Sequence, residues 1–286
     1  MVNPSRLVVS TLALAALMTV YAGAQDGRAG GAPAQPSPKF ATPAAKPALF
    51  FREPWRQPRA LDASTDFDAA FPVTPAAVTN PDLELKVYDP NAHRIPEYAK
   101  KPPQGSLPRD WIGTSCVILS GYNQDPAPAR VVHGDPTDPP NLWTGTCGAI
   151  AVTLRHRASN VDLSGFAKLR WVTRVSGFHV VRPVVKLADG TWLVGDHVTG
   201  ADRAGAGAGA TIDFLESEFS FASVRWMRLD IARVVTRGTW VEKPDLSNVE
   251  EIGFADLTQG TGHGWGGFVN VGKIEVYGKP VQRTVR

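Results

Sequence analysis

Three clusters hold the side chains best suited to ligand or bond chemistry. In GTGHGWGGF, residues 260–268, five glycines in eight positions surround His263 and Trp265. Glycine lets a backbone take positive φ or come close to a ligand, so this segment would project an imidazole and an indole with few neighbours. An indole face stacks on sugar C–H groups, and an imidazole orients a ligand by hydrogen bonding or moves a proton. The bland alternative is a glycine-rich turn whose Trp265 caps the core. A second cluster, GTWLVGDH, carries Trp192, Asp196 and His197. Asp196 and His197 would face opposite sides of a strand, but a bend would bring both to one ligand. The third is Glu216 and Glu218 in FLESEF, which share a strand face with Cα atoms roughly 6.5–7 Å apart. That spacing is compatible with the carboxyl pairs of glycosidases, and equally with the solvated side of an edge strand. Candidate ligand-binding residues are therefore Trp192, Asp196, His197, His263 and Trp265. Candidate catalytic residues are Glu216, Glu218 and His263, ranked behind the binding reading.

Other chemistries find little support. His93, His133, His156, His179, His197 and His263 are dispersed, with no HxH or HExxH spacing for zinc, so no metal ligand set is named. There is no Gly-x-Ser-x-Gly elbow and no strand–GxGxxG–helix context. Lys plus Arg, 30, against Asp plus Glu, 27, leaves +3, too little for a nucleic-acid binder. Arginines recur through the strand region (Arg155, Arg157, Arg170, Arg174, Arg182, Arg225, Arg228 and Arg233). Alternation would line several along one outer face. There they would meet the carboxylates or sulfates of an acidic polysaccharide, or pair with acidic residues of this chain.

The elements that position these residues are uneven along the chain. Twenty of the 24 prolines lie between Gln25 and Pro140, and 19 of the 27 glycines lie beyond. Residues 1–24 are expected to be a signal peptide, with an apolar run from Leu7 to Tyr21 and the small-x-small pattern Ala22-Gly23-Ala24. The run is shorter than the roughly 20 residues of a bilayer-spanning helix, and no later stretch is suited to spanning a membrane. A periplasmic or secreted location follows as the expectation, and export favours pairing Cys116 with Cys147. Closing 31 positions would stabilise the fold by roughly 3–4 kcal/mol in the chain-entropy model. Residues 25–46 are Ala/Pro/Gly-rich and read as a disordered linker. Residues 47–110 have aromatic and aliphatic anchors among their prolines and read as an extended arm packed on the domain, with LELKVY, Leu83 to Tyr88, as one edge strand.

From residue 111 onward short β-rich runs alternate with turn residues. In KLRWVTRVS, Leu169, Trp171, Thr173 and Val175 share one face, and Arg170, Val172 and Arg174 the other. Asp189-Gly190 is a short-hairpin signal. Eight to nine strands with such turns predict an all-β chain, an antiparallel β-sandwich or jelly roll over residues 111–286. The tract AGAGAGA, Ala204 to Ala210, reads as an inter-strand loop.

DLSGFAKLRW, Asp162 to Trp171, and DLSNVEEIGF, Asp245 to Phe254, are alike, each opening a strand with an Asp-Leu-Ser turn. With VRWMRLDIA between them and a final strand ending KIEVYGKP, the order resembles the galactose-binding-like β-sandwich domains. It is similar to the complex I intermediate-associated protein domain and to carbohydrate-binding modules of that fold, over roughly residues 146–280. The resemblance implies a jelly-roll sandwich, glycan binding or protein assembly, no cofactor, and in some similar domains a structural calcium held partly by backbone carbonyls. Asp162, Asp245, Ser164 and Ser247 read as turn formers. The leading expectation is an exported, non-catalytic module that binds a glycan or cell-surface polysaccharide. A protein-interaction module using the Pro-rich arm, and a glycan-active hydrolase or lyase, are the alternatives.

Overall fold

The structure is a computed structural model that describes residues 46–56, 71–92, 117–120, 139–144, 148–177, 179–199, 214–258 and 267–283. The chain divides into Met1–Ala44 and Ala45–Arg286, and every described strand belongs to the second unit. The expected signal peptide, most of the linker, Cys116, Cys147, the AGAGAGA tract, His263 and Trp265 lie outside the described residues.

The described chain is almost entirely β. The strands are β1 (Leu49–Glu53), β2 (Phe71–Pro72), β3 (Leu83–Tyr88), β4 (Ile118–Ser120), β5 (Asn141–Thr144), β6 (Ile150–His156), β7 (Ser159–Asp162) and β8 (Lys168–Gly177). Then follow β9 (Arg182–Leu187), β10 (Trp192–Gly195), β11 (Leu215–Ser220), β12 (Trp226–Asp230), β13 (Val235–Val241), β14 (Val249–Asp256), β15 (Gly267–Tyr277) and β16 (Lys279–Gln282). Among the described residues they form two antiparallel sheets. Sheet A runs β11-β8-β15-β5-β4-β2, with β1 also on β15. Sheet B runs β13-β12-β10-β9-β14-β6-β3, with β7 joining β14 to β16. The expected β-sandwich is the observed fold.

The alternation read in KLRWVTRVS places Leu169, Trp171, Thr173 and Val175 in the interior. Trp171 meets Phe219 edge-on at 5.4 Å and donates from Nε1 to Thr199 Oγ1 at 2.9 Å, so its one polar atom is satisfied inside the core. Trp226, from sheet B, stacks with Phe221 at 6.4 Å. These rings, with Phe254, Ile252, Leu154 and Leu193, fill the space between the sheets.

The two Asp-Leu-Ser segments are Asx turns. Asp162 Oδ1 accepts from Ser164 N at 2.8 Å, and Asp245 Oδ1 from Ser247 N at 3.0 Å. They are also joined, Leu163 N donating to Leu246 O at 2.8 Å. Asp189 Oδ1 likewise accepts from Thr191 N at 2.8 Å in the β9–β10 hairpin, and Gly190 supplies the φ of +92° that the turn requires.

Of the stretch 47–110, three segments are strands of the sheets. β1 pairs with the end of β15, β2 with β4, and β3 with β6 at the margin of sheet B. The buried Glu53 carboxylate pins this stretch, accepting from Trp55 N at 2.8 Å, Thr79 Oγ1 at 2.9 Å and Asn80 N at 3.0 Å. Several strands exceed the eight to nine expected. β5, β7, β13 and β16 are short, or interrupted by Gly238 or Pro280, and partners rather than their own pattern define them.

Candidate functional site

Residues opposite one another on antiparallel strands share a face, so the register of sheet B defines its outer surface. One row is Tyr88, Ala151, Ala255 and Arg182. The next is Lys86, Thr153, Gly253, Val184, Val194, Met227 and Trp240. A third is Glu84, Arg155, Glu251, Lys186 and Trp192. Small residues thus occupy the middle of the first two rows, and the third carries charged residues through the middle strands to Trp192.

Four strand steps separate Tyr88 on β3 from Trp192 on β10, roughly 19 Å on a flat sheet. Their rings nevertheless meet at 4.9 Å and 74°. The outer face is therefore concave, and both side chains lean inward over Ala151, Gly253, Ala255 and Val184. That cover explains why Ala151, Ala255 and Val184 pack in a second apolar cluster with Tyr88, Trp192 and Met227. Gly253 has its own reason: a Cβ there would lie 1.9 Å from Val152 O.

Beside the rings lies a buried carboxylate. Glu251 Oε1 accepts from Lys86 Nζ at 2.6 Å and Lys186 Nζ at 3.3 Å; Oε2 accepts from Tyr88 OH at 2.9 Å and Thr153 Oγ1 at 2.7 Å. Burial is the largest influence and would raise its pKa. The hydrogen bonds from Lys86, Thr153 and Tyr88, with the Lys86 charge, outweigh it and hold the carboxyl below the usual range. Tyr88 is pushed well above an ordinary phenol, by burial first and then by donating to that carboxylate. Burial lowers the Lys186 pKa, but Glu250 and Glu251 more than offset it, leaving it raised. Lys186 Nζ also lies 5.8 Å from the Trp192 centroid. The face therefore presents half-buried aromatic surface beside two partly exposed ammonium groups, with their carboxylate partner buried beneath them.

Of the residues read from sequence, Trp192 belongs to this face, Asp196 is bonded to the Arg225 backbone just beyond β10, and His197 turns to the interior. Asp196 Oδ1 accepts from Arg225 N at 2.8 Å, and its own N–H donates to Arg225 O at 2.9 Å. His197 stacks on Phe219 at 4.1 Å, next to Trp171. Glu216 and Glu218 project from β11 at the margin of sheet A. Glu216 pairs with Arg170, and with Lys273 at 3.1 Å; Glu218 pairs with Lys168 at 2.8 Å. Hydrogen bonds from Arg170 and then Lys273 hold Glu216 below the usual carboxylate range, whereas a general acid needs a raised pKa. The arginines do not share one face: Arg155 and Arg182 lie on the outer side of sheet B, and Arg170 and Arg174 on that of sheet A.

Sequence reading missed Tyr88, Lys86, Lys186 and Glu251 as a group. Lys86 and Tyr88 share a face of β3, but the carboxylate they both bond, Glu251, is 165 and 163 residues away. It also missed a buried acid–base pair: His179 Nδ1 lies 2.5 Å from Asp256 Oδ2, which Thr144 Oγ1 approaches at 3.3 Å. Among the described residues no three His, Cys, Asp or Glu side chains converge as metal ligands.

Fold and site together define an antiparallel β-sandwich with a concave outer face that is aromatic and charged. No protein-family model and no curated protein sequence matches the chain. Among solved structures it is similar to a family 11 carbohydrate-binding module of the cellulosomal cellulase Lic26A-Cel5E of Clostridium thermocellum. That match has 16% identity and a TM-score of 0.32, covering 52% of this chain and 80% of that one. A second is a family 11 carbohydrate-binding module from Clostridium thermocellum in complex with a β-1,3-1,4-mixed-linked tetrasaccharide. It has 15% identity and a TM-score of 0.33, covering 71% and 92%. A third is a cyclase from Fischerella sp. in its apo form, with 12% identity and a TM-score of 0.33, covering 70% and 85%. The sandwich assignment rests on the strand pairing given above.

Proposed function

We propose that this chain is an exported, non-catalytic carbohydrate-binding module whose contact surface is the concave outer face of sheet B. The observation that carries the reading is the Tyr88–Trp192 pair, meeting at 4.9 Å beside the Lys86–Glu251–Lys186 network. Sugar recognition combines an apolar platform for ring C–H groups with a few fixed polar groups that set orientation. Here the polar groups are held by one another, so little ordering is left to the ligand. The ion pairs of Glu216 and Glu218 work against catalysis at those positions.

The test is affinity electrophoresis of the chain from residue 25 through gels containing a panel of polysaccharides, followed by calorimetry on any that retard it. Retardation that Trp192→Ala abolishes supports the reading. Failure of every polysaccharide to retard the protein, or retardation indifferent to Trp192→Ala, overturns it. Export through residues 1–24 is read from a chain expressed with its own leader. Accumulation outside the cytoplasm with Gln25 as first residue supports it; retention of the full chain in the cytoplasm opposes it. Pairing of Cys116 with Cys147 accords with such a location. Val117 precedes β4 and Thr144 ends β5, at the same end of this antiparallel pair.

A further inference from the structure

The margin of sheet B remote from Tyr88 holds a second aromatic–cation unit that the binding reading does not use. Leu229 pairs with Thr236 and Met227 with Trp240, so Arg228 alone opposes residues 237–239. Gly238, at φ +71°, sits at the centre of this bulge. A bulge bends its strand and re-aims the side chains beside it. Here Trp240 stands beside Met227 on the outer face and is 42% exposed. The Arg225 guanidinium carbon lies 4.0 Å from the Trp240 ring centroid. Arg225 is held in turn by the reciprocal backbone bonds to Asp196, which gives that residue a positioning role. Arg155, Arg157 and Arg170 are each paired with a glutamate; among the described residues Arg225 has no carboxylate partner.

We propose that Arg225 and Trp240 form a subsite for a carboxylate-bearing sugar, a hexuronate residue of an acidic polysaccharide. The inference rests on the glycan-binding reading of the same sheet face. A guanidinium stacked on an indole keeps its N–H edge free, and that planar fork matches a carboxylate in two parallel hydrogen bonds. The remaining exposed surface of Trp240 takes the ring C–H groups of the same residue. Arg182, which also lacks a carboxylate partner among the described residues, lies on this face in the row of Tyr88 and adds positive potential along the path.

Polygalacturonate and its methyl ester differ at the carboxylate, which makes them the probes, with neutral mixed-linkage β-glucan alongside. Calorimetry on the chain from residue 25 is expected to show polygalacturonate bound about 10- to 100-fold more tightly than the ester, the range of a charge-assisted pair. Added salt weakens the preference. Arg225→Gln brings the two affinities together, and Arg225→Lys restores only part of the difference, because it returns the charge without the fork. Equal affinity of the unaltered protein for the two polymers overturns the subsite, as does a preference that survives Arg225→Gln. Trp192-dependent binding of neutral glucan without preference for the acid form refutes the subsite alone. Binding of none of the three polymers refutes the glycan-binding reading with it. Thermal melts confirm that each variant is folded.

Discussion

Glu251→Ala removes the acceptor on which four side chains of sheet B converge, and its effect can be worked from the structure. Glu251 is fully buried, whereas the Lys86 and Lys186 side chains retain 33% and 22% exposure. Both ammonium groups can turn to water when the carboxylate is gone. The Thr153 hydroxyl, fully buried, cannot, and Tyr88 OH loses its acceptor as well. An orphaned buried hydroxyl costs about 1–3 kcal/mol, and breaking a buried charge pair about 3–5 kcal/mol. With the lysines able to escape, the lower end applies, about 3 kcal/mol. At about 2–4 °C per kcal/mol for a domain of this size, Tm should fall by roughly 6–12 °C. Differential scanning calorimetry reads this directly, with Glu218→Ala as the control. Glu218 is an exposed partner of Lys168, and its removal should cost less than about 1 kcal/mol. A Glu251→Ala loss no larger than the Glu218→Ala loss would refute the account of Glu251 as the keystone of this face. The same carboxylate gives a pH signature. Its folded-state pKa is below the ordinary 4.5 of glutamate, so its contribution is full above about pH 4.5. It is lost as pH falls through the folded-state value. Glu251→Gln should flatten that part of the stability profile between pH 5 and pH 2, and an unchanged profile would count against the assignment.

Gly253→Ala should destabilise more than alanine substitution elsewhere in β14, by about 1–3 kcal/mol, because the new Cβ meets the β6 backbone. Chemical denaturation checks it. Trp171→Ala, which empties a fully buried indole site and strands Thr199 Oγ1, should cost about 3–5 kcal/mol, measured by urea unfolding. Tyr88→Phe keeps the ring against Trp192 but removes the bond to Glu251. It should lower stability by about 1 kcal/mol and leave the aromatic platform's near-UV circular dichroism in place. If Cys116 and Cys147 are bridged, a thiol titration of the unfolded, unreduced protein should find none, and reduction should lower Tm.

The β-sandwich and much of its core were legible from local pattern. Alternation in KLRWVTRVS assigned both faces of β8, and the Asp-Leu-Ser repeats and Asp189-Gly190 marked turns that now show their hydrogen bonds. These features involve residues within a few positions of each other, so period and turn chemistry suffice. The pairing of distant strands was not legible. Tyr88 and Trp192 lie 104 positions apart and meet only because sheet B curls. Glu251 is one of two adjacent glutamates in the sequence. Only the register of β14 between β6 and β9 turns its carboxylate to Lys86, Thr153 and Lys186. Asp196 and His197 look alike as candidates on paper, and a bend after β10 sends one to the Arg225 backbone and the other onto Phe219. Composition and periodicity mark which apolar residues are buried, since their burial follows from hydrophobicity and the two-residue repeat. Which polar and aromatic groups share a surface depends on strand order and sheet curvature, properties of contacts between segments that no single segment encodes.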